Sequence, residues 1–337
     1  MPLDLTRLRL VVVTATAAAC LGGCGGGSST SADIGGSELA QRQAAAQATA
    51  QDNPECTGIR PFYWEVGDRS AALASGSVSR PGGAVVRADE VMSIASASKW
   101  LYSTYFVQRQ RGVLTAADVK FFNFWSGYTN LSNVVGCSAA STVQDCLDLD
   151  NGNGSTNGSF SPETENKFDY DGGHMQRHAA DNGLGALDNA GLAAELRRQI
   201  GTEIELSYGQ PQLAGGVFMS AREYAKVLRK MLDGGLLMRS ALGTHPVCVD
   251  PATCPLALST PSPRGEQWHY SIGHWVEDDP RVGDGAFSSP GAFGFYPWID
   301  AGKTYYGIVA RADLLGAIDS VRCGRLIRKA WLTGTAQ

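Results

Sequence analysis

Ser96 and Lys99 stand three residues apart in the run Val91-Met92-Ser93-Ile94-Ala95-Ser96-Ala97-Ser98-Lys99-Trp100. If Ser96 opens a helix, Lys99 falls one turn later on the same face, and its amine folds back toward the hydroxyl. A serine hydroxyl is a weak nucleophile at neutral pH and needs a base beside it. A lysine desolvated in an apolar pocket has a lowered pKa and can be that base. The partial positive charge of a helix N-terminus favours a developing alkoxide or oxyanion. The chemistry in view is acyl transfer through a serine ester. The tetrapeptide alone recurs by chance in many chains, so the assignment depends on what else the sequence supplies.

Such a pair needs a proton relay toward the leaving group and donors aimed at the oxyanion. Tyr170, in Phe168-Asp169-Tyr170-Asp171-Gly172-Gly173, is the relay candidate. A phenol beside a lysine ammonium has a lowered pKa and can exchange protons with serine and leaving group. The plainer alternative is a loop tyrosine packed at a subdomain junction. Further on, Ser289-Pro290-Gly291-Ala292-Phe293-Gly294 starts a strand with glycines where something approaches closely. The backbone N–H groups of Ser96 and Ala292 are the expected oxyanion donors, with Ser289 and Gly291 at the substrate. A bulged strand whose glycines only ease packing is the alternative.

The elements that must position these groups follow from periodicity and punctuation. Residues 62–66 and 71–78 read as two strands joined by a turn at Gly67-Asp68. After Ser96 a helix runs through Trp100, Leu101, Tyr105 and Phe106 to a stop near Gly112, apolar on more than one face and therefore buried. Thr115 caps a short helix. Residues 123–168 carry few period signals. Asp148 to Asn153 hints at a calcium loop but fails the EF-hand spacing, with Gly152 and Ser159 where ligands belong. Helices are expected at 189–200 and after the capping box Ser220-Ala221-Arg222-Glu223, ending at Gly234-Gly235. Residues 269–276, 288–299 and 304–311 read as three strands, and 315–332 as a last helix. The pattern gives an α+β fold: an antiparallel sheet with its helical region inserted in sequence.

Arg7 and Arg9 followed by an apolar stretch to Leu21-Gly22-Gly23-Cys24 read as a signal peptide over residues 1–23. Leu-Gly-Gly-Cys resembles the bacterial lipobox, which implies lipid attachment at Cys24 and a membrane partner through that anchor. Residues 24–52 read as a flexible linker, Gly/Ser-rich and then an Ala/Gln run from Glu38 to Gln51 that is either a loose helix or disordered. Residues 53–337 form the catalytic domain, long enough for one sizeable core. The formal net charge is −5 and no basic patch with interleaved aromatics occurs, so nucleic acid is excluded as a partner. Beyond Cys20 and Cys24, six cysteines remain, an even number that suggests disulfides in an exported protein. Cys137–Cys146 and Cys248–Cys254 are close in sequence, which leaves Cys56–Cys323. No C-x-x-C pair occurs and the histidines are not spaced with the cysteines as zinc ligands.

S-x-x-K at the head of a buried helix, a downstream tyrosine motif and a glycine-bearing strand near the C-terminus resemble the serine β-lactamase and penicillin-binding-protein superfamily. The similarity is greatest to its class C-like branch, which includes family VIII carboxylesterases. Arg111-Gly112-Val113-Leu114, Leu213-Ala214-Gly215-Gly216, and Trp298-Ile299-Asp300 are also similar to that branch. The resemblance implies an α/β/α sandwich with a helical subdomain, and a nucleophile at Ser96 served by Lys99 and Tyr170. Two departures matter. The family's Y-x-N or Y-x-S is Tyr170-Asp171-Gly172, which lacks the amide-binding side chain. Its K-T-G or H-x-G is Ser289-Pro290-Gly291, which lacks the cation for a β-lactam carboxylate. Lys303-Thr304 does not restore it, because Tyr305 follows.

These losses favour a serine hydrolase that cleaves a small ester or amide, esterase-like and needing no cofactor. A class C-like β-lactamase or D,D-peptidase is the enzymatic alternative, and an inactive envelope binding protein the non-enzymatic one. No G-x-S-x-G elbow, Walker loop or Rossmann fingerprint occurs. His174 and His178 lack the acidic partner of H-E-x-x-H and read as helix-surface or rim residues. Trp268 or Trp275 is a candidate pocket wall.

Overall fold

The apolar run after Pro61, buried on both faces, forms β1 (Phe62–Asp68), whose last side chain accepts from the N–H groups of Ser70 and Ala71 and turns the chain into β2 (Ala72–Val78). In this computed structural model, which describes residues 35–132 and 136–337, six later segments join them. They are β3 (Val247–Cys248), β4 (His269–Ser271), β5 (His274–Glu277), β6 (Ala286–Ser288), β7 (Tyr296–Ile299) and β8 (Tyr305–Ala310). The sheet order is β2-β1-β8-β7-β6-β5-β4-β3, antiparallel throughout. The N-terminal hairpin thus closes against the C-terminal strand, and the helical middle of the chain is an insertion within one sheet.

Strand alternation puts helices on both faces. On β8, Tyr305 meets Trp331 of the last helix, and Val309 lies against Gly324 of the same helix. Tyr306 points the other way and accepts from Arg229. Four helices matter here: α1 (Gly36–Asp52), α2 (Ala97–Arg109), α3 (Ala221–Leu232) and α4 (Ala317–Thr333). α4 and α1 cover one face, and α3 covers the other. Every residue of α2 from Ala97 to Val107 is buried, as its all-round apolar pattern requires. The fold is the expected α+β sandwich with an antiparallel sheet.

The flexible linker expected over residues 24–52 is corrected for its described part. Gly36–Asp52 is helical, and Ala45, Ala46 and Ala50 are fully or nearly buried. Gln41 and Arg42 donate to the carbonyls of Gly334 and Trp331, fastening α1 to the end of α4. Alanine methyls pack closely without the large apolar residues that signal a buried face. The segment expected to be a signal peptide, Cys24 and the glycine-rich stretch after it lie outside the described residues. Among those described, no helix is long and apolar enough to cross a membrane.

Two expected strands prove to be hairpins. Residues 269–276 break at Ile272-Gly273, both left-handed, because Asn123 accepts from the Ile272 N–H and the Phe122 carbonyl from that of Gly273. Residues 288–299 break at Ser289–Phe295, so that β6 and β7 pair across a loop carrying Ala292. Disulfides join Cys56 to Cys323, Cys137 to Cys146 and Cys248 to Cys254. The first anchors the start of the domain to α4.

Candidate active site

Ser96 occupies the residue before α2, in a tight turn where Ala97, Ser98 and Lys99 donate to the carbonyls of Ile94, Ala95 and Ser96. Ala95 is left-handed at φ 43°, a costly conformation for a residue with a Cβ. A short antiparallel pair holds it there: Met92–Ser93 runs beside Val217–Met219, Ile94 donates to the Val217 carbonyl, and the Ser98 hydroxyl accepts from the Val217 N–H. The turn therefore cannot relax without breaking this sheet.

The lysine reaches the serine. Lys99 Nζ lies 2.9 Å from Ser96 Oγ and 2.8 Å from the Ala214 carbonyl oxygen. It also sits 4.7 Å from the centre of the Tyr170 ring. Burial lowers the Lys99 amine to about 7, against a pull upward from the Asp171 carboxylate. Gln176 fixes Ala214 from behind: its amide donates to the carbonyls of Val143 and Pro211 and accepts from the Leu213 N–H. Nothing in the sequence singled Gln176 out, since a polar residue inside a short helix looks like surface.

Tyr170 stands across the cleft, its ring stacked on Trp275 at 5.2 Å. Burial raises the phenol to about 12, and the Ser96 hydroxyl and Trp275 only partly offset this. The lowered phenol pKa expected beside lysine is therefore corrected, because a half-neutral amine stabilises a phenolate little while burial disfavours it strongly. The loop behind Tyr170 is braced by His174, which hydrogen-bonds Ser126 and the Asp169 carbonyl. Burial lowers the His174 imidazole to about 3, so the ring is neutral. His178 is enclosed as well, between the Tyr102 hydroxyl and Asp118. Neither histidine is on the surface or the rim. Both lie on the helix Gly173–Ala179, whose core-facing side carries them inward.

The β6–β7 loop brings Ala292 to the cleft. Its turn is closed by Gly294 donating to Gly291 and Gly291 donating to Phe295. Among the described residues, the N–H groups of Ser96 and Ala292 have no hydrogen-bond partner. Ser96, Tyr170, Ala292, Trp268, Trp275 and Leu315 line a cavity of about 360 Å³, and no charged side chain is among its walls.

No protein-family model and no curated protein sequence matches the chain. Solved structures do match in shape. EstCE1, a hydrolase with promiscuous acyltransferase activity, aligns over 88% of this chain and 98% of its own at 12% identity and TM-score 0.59. The D-amino acid amidase of Ochrobactrum anthropi SV3 aligns over 85% and 100% at 12% identity and TM-score 0.58. A β-lactamase of Mycobacterium bovis aligns over 82% and 96% at 12% identity and TM-score 0.51. The chain has the serine β-lactamase fold.

Within that β-lactamase fold, two residues expected at the substrate do other work. Ser289 is 2% exposed, and its hydroxyl donates to the Ser96 carbonyl at 3.1 Å. Gly291 is where the loop crosses the turn that carries Ser96, since a Cβ there would overlap the Ile94 carbonyl oxygen. Neither lines the cavity; Pro290 and Ala292 do. Ser289 and Gly291 lock the β6–β7 loop onto the turn that holds Ser96. Lys303 lies in a turn and directs its amine to the carbonyls of Arg239 and Leu242, away from this β-lactamase-fold cleft.

Proposed function

We propose that the protein is a serine hydrolase that cleaves esters through an acyl-enzyme on Ser96. The observation that carries this reading is the buried Lys99 amine 2.9 Å from Ser96 Oγ, brought to about 7 by burial, at the edge of a cavity without charged walls. A neutral amine accepts the serine proton as Oγ attacks the carbonyl carbon. The oxyanion is received by the N–H groups of Ser96 and Ala292, whose freedom from internal partners favours this role. Tyr170, neutral and within reach of Ser96, passes the proton to the leaving alkoxide as the C–O bond breaks. Water then attacks the acyl-enzyme, giving its proton back through the same groups, and the carboxylic acid leaves. The three disulfides fit an oxidising, exported location, and the Cys24 lipobox would tether the enzyme to a membrane.

The absence of a cationic wall argues for an ester over a β-lactam or a peptide with a free carboxylate. The test uses a fluorophosphonate probe with wild type and Ser96→Ala, followed by turnover of a short nitrophenyl ester and a chromogenic cephalosporin. Labelling of wild type alone, with ester turnover exceeding cephalosporin turnover, is expected. Equal labelling of both proteins would remove Ser96 as nucleophile, and turnover of the cephalosporin alone would reverse the substrate ranking.

A further inference from the structure

The cavity beside Ser96 is lined by two groups of residues. Tyr170, Trp268 and Trp275 form an aromatic cluster, and Pro290, Ala292, Leu315 and Ile318 come from the β6–β7 loop and the segment leading into the first turn of α4. The second group reaches solvent. Leu314 is 82% exposed and Leu315 is 89% exposed, consecutive at the tip of the segment joining β8 to α4, and Phe293 is also exposed. The two tips are joined, because Asp313 donates to the Phe293 carbonyl. Leu315 is left-handed at φ 62°, a strained setting for a residue with a Cβ. Exposed leucines scattered singly need no explanation, but Leu315 both lines the cavity and adjoins the exposed Leu314, and apolar groups so placed beside a cavity mark a binding surface.

The cationic groups nearby are engaged elsewhere. Arg311 donates to the Ser320 hydroxyl and to the carbonyls of Ile59 and Gly316, and pairs with Asp313. Among the described residues, no charged side chain lines the cavity to recognise a charged substrate tail. The order of groups also sets direction. The leaving group belongs beside Tyr170, the proton donor, so the acyl portion lies toward Ala292 and the leucines. At about 360 Å³ the cavity is at the small end for ligand sites, enough for the reacting ester and part of a chain.

Resting on the serine hydrolase reading, we infer that the substrate is an ester of a medium-chain aliphatic acid. Its acyl chain leaves the Ser96 cavity between Pro290 and Ile318 and covers Leu315, Leu314 and Phe293. Attack by Ser96 on this ester forms the acyl-serine and releases the alcohol; water then forms the fatty acid and restores the serine. The rim withdraws the chain from water, and burial of each methylene favours binding by about fourfold.

The test measures second-order inactivation of the full-length protein by methyl-, butyl- and octylphosphonofluoridate, in which the alkyl group stands in for the acyl chain. The octyl reagent is expected to react at least about tenfold faster than the methyl one, for the burial of two or more methylenes. In the double variant Leu314→Ser, Leu315→Ser the octyl-to-methyl ratio should fall at least threefold. Binding is read separately by calorimetry in Ser96→Ala, where methyl octanoate should bind at concentrations where methyl acetate does not; equal binding of the two would overturn the acyl groove. If none of the reagents labels Ser96, the hydrolase reading fails and this inference falls with it. If all label at one rate, or the double variant keeps the wild-type ratio, the hydrolase reading stands and the acyl groove is overturned.

Discussion

Lys99 Nζ donates to Ser96 Oγ at 2.9 Å while only 5% of the lysine surface meets solvent. The amine is held by one more partner, the Ala214 carbonyl, and is stacked over Tyr170. Two opposed influences set its charge: burial, which is larger, favours the neutral form, and Asp171 favours the ammonium. Burial likewise raises the Asp171 carboxyl to about 6, although the N–H groups of Gly173 and Leu131 donate to it. The site is therefore poised to exchange a proton near neutrality.

The pH dependence of ester hydrolysis follows from that balance. With neutral Lys99 as the proposed base, kcat/KM should rise with pH and level off above an apparent pKa near 7. Asp171→Asn removes the carboxylate that favours the ammonium, so the acidic limb should move to lower pH. A profile that is flat from pH 5 to 9, or that moves upward in Asp171→Asn, would exclude Lys99 as the titrating base.

Lys99→Met separates catalysis from stability. Activity should fall by at least about a thousandfold, in the range seen when a nucleophile loses its activating base. The folded protein should nevertheless gain stability. The native pKa of Lys99 is lowered to about 7 from 10.5, so the unfolded chain binds more protons between these values. Wild-type stability must then rise with pH across that window, and the lysine is most unfavourable at and below pH 7. The variant should be more stable there, by on the order of a few kcal/mol, with the gap closing toward pH 10.5. Urea titrations at pH 7 and pH 10 measure it. An equal gap at both values would mean that the lysine is not buried as a neutral amine.

Tyr170→Phe tests proton delivery to the leaving group. A phenol raised to about 12 is a neutral donor, so its loss should matter most when the departing alkoxide is strongly basic. Hydrolysis of an alkyl ester should fall by about a hundredfold or more, and that of a nitrophenyl ester by much less. Equal losses on both substrates would make Tyr170 a packing residue.

What the sequence disclosed was what depends on short-range geometry. Ser96 and Lys99 meet because they are three apart at a helix start, and Thr115 caps its helix through the reciprocal bond with Asp118. Ser220 accepts from the Glu223 N–H as expected, but the Glu223 carboxylate goes to the Glu205 N–H instead of closing the capping box. Features set by distant partners were hidden. The Ile272-Gly273 turn is imposed by Asn123, and Gln176 acquires its role only because residues 211–213 fold over it. Ser289 looked like a substrate contact because its motif sits where the family places one. Only the packed structure shows its hydroxyl on the Ser96 carbonyl. The run that forms α1 allowed a loose helix, but its packing against α4 was hidden because alanine carries too little apolar area to mark a face.

The far end of β5 supplies a test of the fold that is independent of the chemistry. Glu277 is fully buried and accepts from Arg328, Arg325 and the Tyr296 hydroxyl, at 2.9, 2.9 and 2.7 Å. Burial would raise its carboxyl, but the two guanidinium groups outweigh burial and hold it at about 2. Glu277→Gln leaves Arg328, itself 1% exposed, with Asp284 as its remaining carboxylate partner. Breaking one side of a buried ion pair costs about 3–5 kcal/mol, well above the loss of a neutral hydrogen bond. The sign with pH is fixed by the lowered pKa: the contribution is complete above the ordinary value of 4.5 and is lost as pH falls toward about 2. Urea unfolding of wild type and variant should therefore differ by several kcal/mol at pH 7, and by progressively less below pH 4.5. The fluorophosphonate labelling rate of the folded variant should stay within about twofold of wild type, because Glu277, Arg328 and Tyr296 are not among the walls of the Ser96 cavity. A gap below about 1 kcal/mol at pH 7 would show that the pair is no better than an exposed one.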